Sequence, residues 1–250
     1  MNNQTLDKKD LLQEILQETL VKRTIPRQIK ITPNINPYAL GSVIVEYGNT
    51  KIHITASLEK EVPAFLKGSA KGWVTAEYAM LPHSTHTRTQ RERKGICGRS
   101  QEIQRLIGRS LRAAIDLNLL GERSIMIDCD VLVADGGTRT ASISGGFVAL
   151  GLAVKKLLID GVIKSNPIKE RIAGVSVGIT KDGSVIADLN YDEDSSVATD
   201  MNIVMSENGR FIELQGTAEG TPFSKNELDR MLYCAQEACK TIFEEQKKII

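Results

Sequence analysis

The sequence predicts an α+β protein made of two similar halves. Residues 41–57 alternate apolar and polar side chains on either side of a Gly-Asn pair, which is the pattern of a β-hairpin with a tight turn. The same pattern returns at residues 172–188, with an Asp-Gly pair at the turn. Each hairpin belongs to one half of the chain, and each half also contains a long helical pattern. We interpret this as a weak internal duplication with a boundary near residues 160–170.

The first residues predict a separate extension. Apolar residues recur on one helical face between residues 6 and 21, which predicts a short amphipathic helix. Three prolines, beginning with Pro26, separate this helix from the main body of the chain. We therefore divide the chain into an N-terminal extension of residues 1–25, expected to be helical, and a main domain of residues 26–250.

The length, net charge and cysteine content of the chain limit the class of protein to which it can belong. At 250 residues the chain can bury a large core, and its formal net charge is only +1, so a nucleic-acid-binding surface requires local clustering of charge. The four cysteines form no CxxC pair and are typical of reduced thiols in a cytoplasmic protein. No apolar run approaches the length of a membrane span, and the polar first ten residues are unlike a secretory or mitochondrial leader. These observations predict a cytoplasmic protein that does not enter a membrane.

Two further helices are predicted. Residues 101–119 carry an apolar stripe, while Arg105, Arg109 and Arg112 gather on another side. The closing segment opens with a capping box, Ser224-Lys-Asn-Glu227, and then carries a helical stripe to its end.

The most informative stretch lies where a predicted strand passes into a predicted helix. Residues 124–134 are β-branched and apolar, and residues 143–158 carry apolar side chains at helical spacing. Between them, Asp-Gly-Gly-Thr-Arg-Thr-Ala-Ser occupies residues 135–142. Backbone N–H groups at such a junction bind anions, and Thr138 and Arg139 add a hydroxyl and a planar guanidinium suited to phosphate. The alternative is an ordinary tight turn with an N-cap, and the octet matches neither the Walker nor the dinucleotide pattern.

A basic segment occupies residues 83–112. Its cations are Arg88, Arg91, Arg93, Lys94, Arg99, Arg105, Arg109 and Arg112. Clustered arginines on a nearly neutral protein favour a track for a phosphodiester backbone, although a solvated charged face or arginines that bridge subunits would give the same pattern. His83 and His86 form an HxxH pair without a third ligand nearby, so we interpret them as surface or RNA-contact residues rather than metal ligands.

An acidic segment comes after the second hairpin, at residues 192–200. Asp194 and Asp200 are six positions apart, and a straight strand would separate them by about 20 Å, too far to share an ion. A bend at the intervening serines would bring them together. Because Mg²⁺ favours carboxylates combined with substrate phosphates, a carboxylate pair facing a phosphate loop would suit it. The alternative is an acidic surface loop.

Together these segments resemble the ribonuclease PH family, from about Gly41 to near the C-terminus. In chain order they are Gly72-Trp-Val-Thr-Ala-Glu-Tyr78, Thr87-Arg-Thr-Gln-Arg-Glu92, Glu102-Ile-Gln-Arg-Leu-Ile-Gly-Arg109, Ile127-Asp-Cys-Asp-Val131, Ala134-Asp-Gly-Gly-Thr-Arg-Thr-Ala-Ser142, Glu193-Asp-Ser195, Thr199-Asp-Met-Asn202 and Leu214-Gln-Gly-Thr217. The resemblance implies an α+β fold of two similar halves, with mixed sheets packed against helices. It also implies a phosphorolytic 3′-to-5′ exoribonuclease, formally a nucleotidyltransferase, that trims transfer RNA precursors, with a related role in ribosomal RNA processing. Nucleoside 5′-diphosphates would be released.

The resemblance further implies roles for individual residues. Arg99, Gly137, Thr138 and Arg139 would bind inorganic phosphate as co-substrate, and Asp194 and Asp200 would be catalytic and would bind Mg²⁺. Arg88 and Arg91 match arginines that contact transfer RNA, and we extend the predicted RNA surface to Arg93, Arg105 and Arg109. The implied assembly is a ring of six subunits built from dimers.

Three places depart from the family pattern. The N-terminus lacks the usual Gly-Arg before Leu-Arg-Pro, His83 stands where an arginine is usual, and Ala198 stands where a glutamate is usual. We therefore expect the chemistry to survive with weaker or altered RNA binding. A second hypothesis is a catalytically idle RNA-binding subunit of the same ring. A third is a relative of polynucleotide phosphorylase, whose duplicated cores and extra RNA-binding domains would not fit within 250 residues.

Overall fold

The computed structural model describes residues 21–93, 95–218 and 222–250. The helix predicted for residues 6–21 lies outside the described residues except at Val21, and there the prediction is wrong. Val21 begins strand β1 (Val21–Arg23), which pairs in parallel with a strand of the second half. The described part of the N-terminal extension is therefore joined to a sheet, because its backbone completes the edge of that sheet.

The first half of the chain forms a five-stranded mixed sheet. Its strands are β2 (Ile29–Pro33), β3 (Gly41–Tyr47), β4 (Thr50–Glu59), β5 (Trp73–Met80) and β6 (Ser124–Val133), in the spatial order β2-β3-β4-β6-β5. Strand β5 runs parallel to β6 and the other neighbours are antiparallel. Tyr47 pairs with Thr50 across the Gly-Asn turn, which confirms the first predicted hairpin.

The second half forms another five-stranded mixed sheet, which includes β1. Its strands are β7 (Ile172–Ile179), β8 (Val185–Ala187), β9 (Thr199–Ser206) and β10 (Phe211–Ala218), in the order β1-β8-β7-β9-β10. Ile179 pairs with Val185, which confirms the second hairpin. The two sheets and the helices packed on them confirm the predicted α+β fold class.

The helices are α1 (Gly98–Ala113), α2 (Leu117–Leu120), α3 (Thr138–Ile159), α4 (Tyr191–Asp194) and α5 (Lys225–Lys247), with a 3₁₀ turn at Ala64–Leu66. The helix predicted for residues 101–119 ends at Ala113, because the Asp116 side chain accepts a hydrogen bond from Asn118 N and starts the short helix α2. The capping box of Ser224 and Glu227 is present at the start of α5.

Helix α3 lies between the two sheets. A Cβ at Gly145 would come within 2.7 Å of the Val45 and Ile54 side chains of the first sheet. On the opposite side, a Cβ at Gly174 of β7 would lie 3.1 Å from Thr140 at the start of α3. This close packing fixes the N-terminus of α3 against both halves of the protein.

The length and apolar character of α3 correct one sequence-based expectation. Among the described helices, α3 is long and apolar enough to cross a membrane, so the expectation that no apolar run reaches that length is wrong. However, 72% of its most apolar window is buried inside the protein. That burial is typical of a core helix.

Candidate active site

The loop between β6 and α3, hereafter the glycine loop (Asp135, Gly136 and Gly137), is shaped for close backbone approach. Gly136 and Gly137 have φ angles of 73° and 66°, which side chains other than glycine rarely adopt. A Cβ at Gly136 would lie 2.2 Å from the carbonyl oxygen of Leu189. Helix α3 begins at Thr138, so the first N–H groups of a long helix come directly after the loop. The predicted junction of strand and helix is confirmed, with the helix starting before its apolar run.

Thr138 is held by a tyrosine that the sequence analysis did not single out. The Tyr78 hydroxyl donates a hydrogen bond to Thr138 Oγ1 at 3.0 Å, and both residues are buried. Burial raises the pKa of Tyr78, although its bond to Thr138 and the charges of Arg99 and Arg139 oppose the increase. The phenol therefore stays a donor at neutral pH. Tyr78 ends one of the segments that carry the family resemblance, which is the signal that could have identified it.

The structure pairs Arg139 with Glu102, which lies one helical turn after Arg99 on α1. Arg139 Nη2 lies 3.2 Å from Glu102 Oε2, and Arg99 stands exposed in the first turn of α1. Burial raises the pKa of Glu102, but hydrogen bonds from Gln215 and Arg139 and the charges of Arg139 and Arg99 outweigh it, so the pKa is lowered. The same two guanidinium charges act on the Tyr78 hydroxyl. Arg139, Thr138 and the N-terminus of α3 therefore lie together, and the charge of Arg99 acts on the Glu102 and Tyr78 groups beside them.

Strand β10 joins this cluster from the other half of the chain. Gln215 Nε2 donates to Glu102 Oε1 at 2.9 Å. Arg109, predicted to contact RNA, donates twice to the Glu213 carboxylate at 2.6 and 2.9 Å. Arg105 and Arg109 line a cleft of about 320 Å³ beside Gln215. Arg109 therefore links the two halves, whatever its role toward RNA.

Arg112, also part of the basic segment, has a packing role. Its guanidinium lies 4.1 Å from the centre of the Trp73 ring, and Nη1 donates to Val74 O at 2.8 Å. These contacts fix α1 on strand β5. The basic segment thus contributes packing as well as an exposed charged surface.

The acidic segment folds back on itself. Asn190 caps α4 in a capping box with Glu193, and Asp194 ends that helix in an exposed position. Leu189 at the start of the segment packs 3.0 Å from the Cβ position of Gly178, and Gly178 pairs with Asp200 on β9. The segment therefore leaves the sheet after β8 and re-enters it at β9, with both of its ends beside Gly178 of β7. This supplies the bend that a shared cation would require, while the metal assignment itself stays a prediction.

Asp200 lies on the same face of the second sheet as residues that contact α3 and Glu102. Residues directly paired across strands point to one face of a sheet, so Gly178, Asp200 and Thr217 share a face. Gly174, four residues before Gly178 on β7, shares that face and contacts Thr140 of α3. Gln215, two residues before Thr217, also shares it and bonds to Glu102. Asp200 thus lies on the sheet face that meets the start of α3.

The predicted Mg²⁺ would take its ligands from both the protein and the substrate. Within the described residues, no group of three His, Cys, Asp or Glu side chains is placed to hold a metal ion. Mg²⁺ is commonly bound by one or two carboxylates together with substrate phosphates and water. A site of this kind, with Asp194 and Asp200 as its carboxylates, stays a prediction.

The exposed arginines precede α1 in a segment without regular structure. Arg88, Arg91 and Arg93 are all exposed, and residues 81–93 and 95–97 contain no helix or strand. Glu92, which the sequence analysis did not single out, accepts hydrogen bonds from Ser100 Oγ at 2.8 Å and from Cys97 N at 3.2 Å. These bonds tie the segment to the first turn of α1 and hence to Arg99.

Replacing both Arg88 and Arg91 with alanine is expected to weaken RNA binding and to reduce its dependence on salt. Each phosphate contact to a single strand contributes about 0.7 to the slope of log K against log salt, so the slope should become about 1.4 units shallower. Binding of a labelled RNA from low to high salt measures this. The control is the double variant Lys240→Ala with Lys248→Ala, which removes two exposed cations from α5 and its end. An unchanged slope for the arginine variant would make these residues structural.

Both halves of the chain match a known protein family. Residues 26–156 match the model of the 3′ exoribonuclease family, domain 1, and residues 170–238 match domain 2 of that family. Ribonuclease PH of Bdellovibrio bacteriovorus is 54% identical over 224 residues, which are 90% of this chain and 92% of that protein.

Solved structures share the fold. Rrp46 of rice, Oryza sativa, has a TM-score of 0.73 at 17% identity and covers 90% of this chain and 96% of its own. A chain of the Archaeoglobus fulgidus exosome with RNA bound to the active site has a TM-score of 0.73 at 18% identity, covering 95% and 97%. At these identities the structures establish the fold alone.

The fold and the matched domains define a 3′ exoribonuclease. The chain belongs to the ribonuclease PH family, and its class of activity is the phosphorolytic removal of nucleotides from RNA 3′ ends. The family, fold and activity implied by the sequence are therefore confirmed. An idle ring subunit is the weaker alternative, because the exosome chains are 18–19% identical to this protein, against 54% for a ribonuclease PH.

Proposed function

We propose that this enzyme trims the 3′ ends of transfer RNA precursors, with inorganic phosphate bound at the glycine loop and Mg²⁺ held by Asp194 and Asp200. One observation carries the proposal. Thr138 accepts a hydrogen bond from Tyr78 at the start of α3, the next residue Arg139 pairs with Glu102, and Arg99 lies one helical turn before Glu102 on α1, while Asp200 lies on the sheet face that meets the start of α3.

Several donors at this point are suited to phosphate. The first N–H groups of α3 have no partner within the helix, and they come directly after the two glycines. Within the described part of the chain, Arg139 Nε is buried without a hydrogen-bond partner. A bound anion would satisfy it. Arg99, exposed at the start of α1, supplies a second guanidinium.

Positioning is the main task of these residues. Phosphate is already an anion at neutral pH, so it needs alignment with the terminal phosphodiester more than activation by a strong base. An oxygen of inorganic phosphate forms a bond to the phosphorus while the bond to the departing 3′ oxygen breaks. The products are a nucleoside 5′-diphosphate and an RNA shortened by one nucleotide. Because one phosphate bond replaces another, the reaction is close to balanced and reversible.

The carboxylates would hold Mg²⁺ beside the scissile phosphodiester. Mg²⁺ bound there would offset charge on the scissile phosphate and on the departing 3′ oxygen. Asp200 sits in a strand held on both sides by β7 and β10, whereas Asp194 ends a helix fixed by its capping box. Both carboxylates are thus carried by backbone that has little freedom to shift.

The structure also fits a multisubunit ring. Solved relatives of the fold include an archaeal exosome core, and β10 presents partly exposed Phe211 and Leu214 at the edge of its sheet. We extend the proposal to a cytoplasmic ring of six subunits.

The test is incubation with a transfer RNA that carries a 3′ extension, with Mg²⁺, in the presence and absence of inorganic phosphate. Release of nucleoside diphosphate only when phosphate is present is the expected result. The same transfer RNA without its extension is the control for substrate choice. Release of nucleoside monophosphate without phosphate would contradict the proposed phosphate site, and RNA binding without any release would favour the idle subunit.

A further inference from the structure

Arg27 and Asp188 form an ion pair below the glycine loop, hereafter the clasp. Arg27 Nε and Nη2 each donate to a different oxygen of the Asp188 carboxylate at 2.8 Å, and Arg27 N donates to the same carboxylate at 2.9 Å. The Asp188 side chain is fully buried and that of Arg27 is 12% exposed. A bidentate pair removed from water holds a single geometry far more strictly than an exposed pair does.

The same guanidinium holds the glycine loop. Arg27 Nη1 donates to Asp135 O at 2.5 Å, and Nη2 lies 3.5 Å from Gly136 O. A Cβ at Gly137 would lie 3.4 Å from both Arg27 Nη2 and Asp188 Oδ1. The loop therefore rests directly on the clasp and cannot shift without breaking these contacts.

Asp188 also determines where the acidic segment begins. Its φ angle is 55°, a left-handed conformation that aspartate tolerates better than most residues. Its N–H donates to Ser176 O at 2.6 Å, and the next residue, Leu189, donates to Ser176 Oγ at 3.0 Å. Asn190 then caps α4, which ends in Asp194. The position of Asp188 thus fixes the start of α4, the helix that carries the Asp194 carboxylate.

Direct contacts join the two segments that the clasp supports. The Gly136 Cβ position lies 2.2 Å from Leu189 O, and Tyr191 N donates to Asp135 Oδ1 at 3.2 Å. The glycine loop and α4 therefore behave as one unit with the clasp beneath it. Arg27 precedes the first sheet and Asp188 comes directly after β8, so the clasp also joins the two halves of the protein.

We propose that Arg27 and Asp188 are positioning residues that set the distance between the phosphate-binding loop and the carboxylate segment. This inference rests on the proposed site for phosphate and Mg²⁺. The two residues would act through the loop and the acidic segment, because the donors of Arg27 are directed to Asp188 and to the loop carbonyls. In-line transfer needs phosphate and the terminal phosphodiester at a fixed separation, and a displacement of about 1 Å costs roughly 100-fold in rate.

The test uses Arg27→Lys, which keeps the charge but loses the bidentate geometry, and Asp188→Asn, which keeps the shape but loses the charge. Diphosphate release is measured with a single-stranded oligoadenylate, Mg²⁺ and inorganic phosphate. We expect kcat to fall roughly 100-fold, while the affinity for phosphate, read from the phosphate-dependent rise in Tm, changes by less than about threefold. A purely structural role would lower Tm and leave kcat of the folded fraction unchanged.

Arg171→Lys is the matched control. Arg171 also contacts a carboxylate, Glu207, and a backbone carbonyl, that of Ile250, but it precedes β7 at the end away from Gly178. We expect its kcat to stay within twofold of that of the unmodified enzyme, whatever its Tm.

Two results would overturn the proposal. One is a kcat within about twofold of wild type in either folded clasp variant. The other is a kcat loss that matches the unfolded fraction at the assay temperature. Asp188→Asn provides the measurement if Arg27→Lys does not fold. Because the substrate is oligoadenylate, this test does not depend on which natural RNA the enzyme processes. An enzyme that fails to trim transfer RNA would still cleave oligoadenylate.

Discussion

Replacing Arg139 with alanine is expected to remove phosphate-dependent cleavage and leave the protein folded. Arg139 supplies the guanidinium beside Thr138, and its buried Nε has no hydrogen-bond partner within the described residues. Loss of one such donor to the transition state costs about 100- to 1000-fold, and an arginine acting on a transferring phosphoryl group often more. We therefore expect kcat/KM for phosphate to fall by roughly 1000-fold.

The fold should tolerate the change because Glu102 keeps a second partner. Its carboxylate is 40% exposed and still accepts from Gln215. Arg139→Lys should fall between the alanine variant and the unmodified enzyme, since an ammonium retains the charge without the planar fork. Arg171→Ala removes an arginine of similar exposure, 30% against 23%, at a distance from the site. Unchanged diphosphate release by a folded Arg139→Ala protein would contradict the phosphate assignment.

Replacing Asp200 with asparagine is expected to abolish the Mg²⁺-dependent reaction and to spare RNA binding. The amide keeps the shape of the side chain on β9 but removes the charge that Mg²⁺ requires. Stabilisation by a metal ion of charge on a transferring phosphoryl group is worth several kcal/mol, and each 1.36 kcal/mol is tenfold in rate. We therefore expect kcat to fall at least about 100-fold, measured by diphosphate release over a Mg²⁺ titration.

The control for Asp200→Asn is Asp128→Asn. Asp128 is also a half-buried aspartate within a strand, but it lies on β6 next to Ile127, whose side chain faces α3, and so it points away from the site. Its substitution should leave the Mg²⁺ response unchanged. RNA binding is measured without divalent cations. Under that condition the variant differs from the unmodified enzyme only in the charge of the substituted side chain. Turnover by Asp200→Asn at the rate of the unmodified enzyme would refute the metal role.

The departures from the family pattern appear in the structure in different ways. His83 is exposed and lines a cleft of about 770 Å³ beside Asp135 and Asn190. Arginines of the N-terminal stretch are turned inward instead: Arg23 forms a bidentate pair with Glu193, and Arg27 forms the clasp. These two arginines therefore support the acidic segment rather than the RNA surface.

The sequence predicted the features whose partners are near in the chain. The two hairpins, the capping box of α5 and the junction at the glycine loop each depend on residues a few positions apart, so their local pattern contains the physical cause. Dense motifs also identified the family, because many long segments match its pattern in the same order along the chain. The strand at Val21 and the end of α1 were missed, since pairing with β8 and capping by Asp116 override the helical periodicity.

Tertiary structure alone decided how the site is assembled. Tyr78 and Thr138 are 60 residues apart, Glu102 and Gln215 are 113 apart, and Arg27 and Asp188 are 161 apart. Periodicity and motif spacing carry no information about such pairs, because each forms only after the sheets have packed on α3. The sequence by itself therefore determined the fold class and the family, and it predicted the residues that would bind phosphate and Mg²⁺. The packing of the two halves around α3 determined which of these residues meet, because that packing brings distant parts of the chain to the same surface.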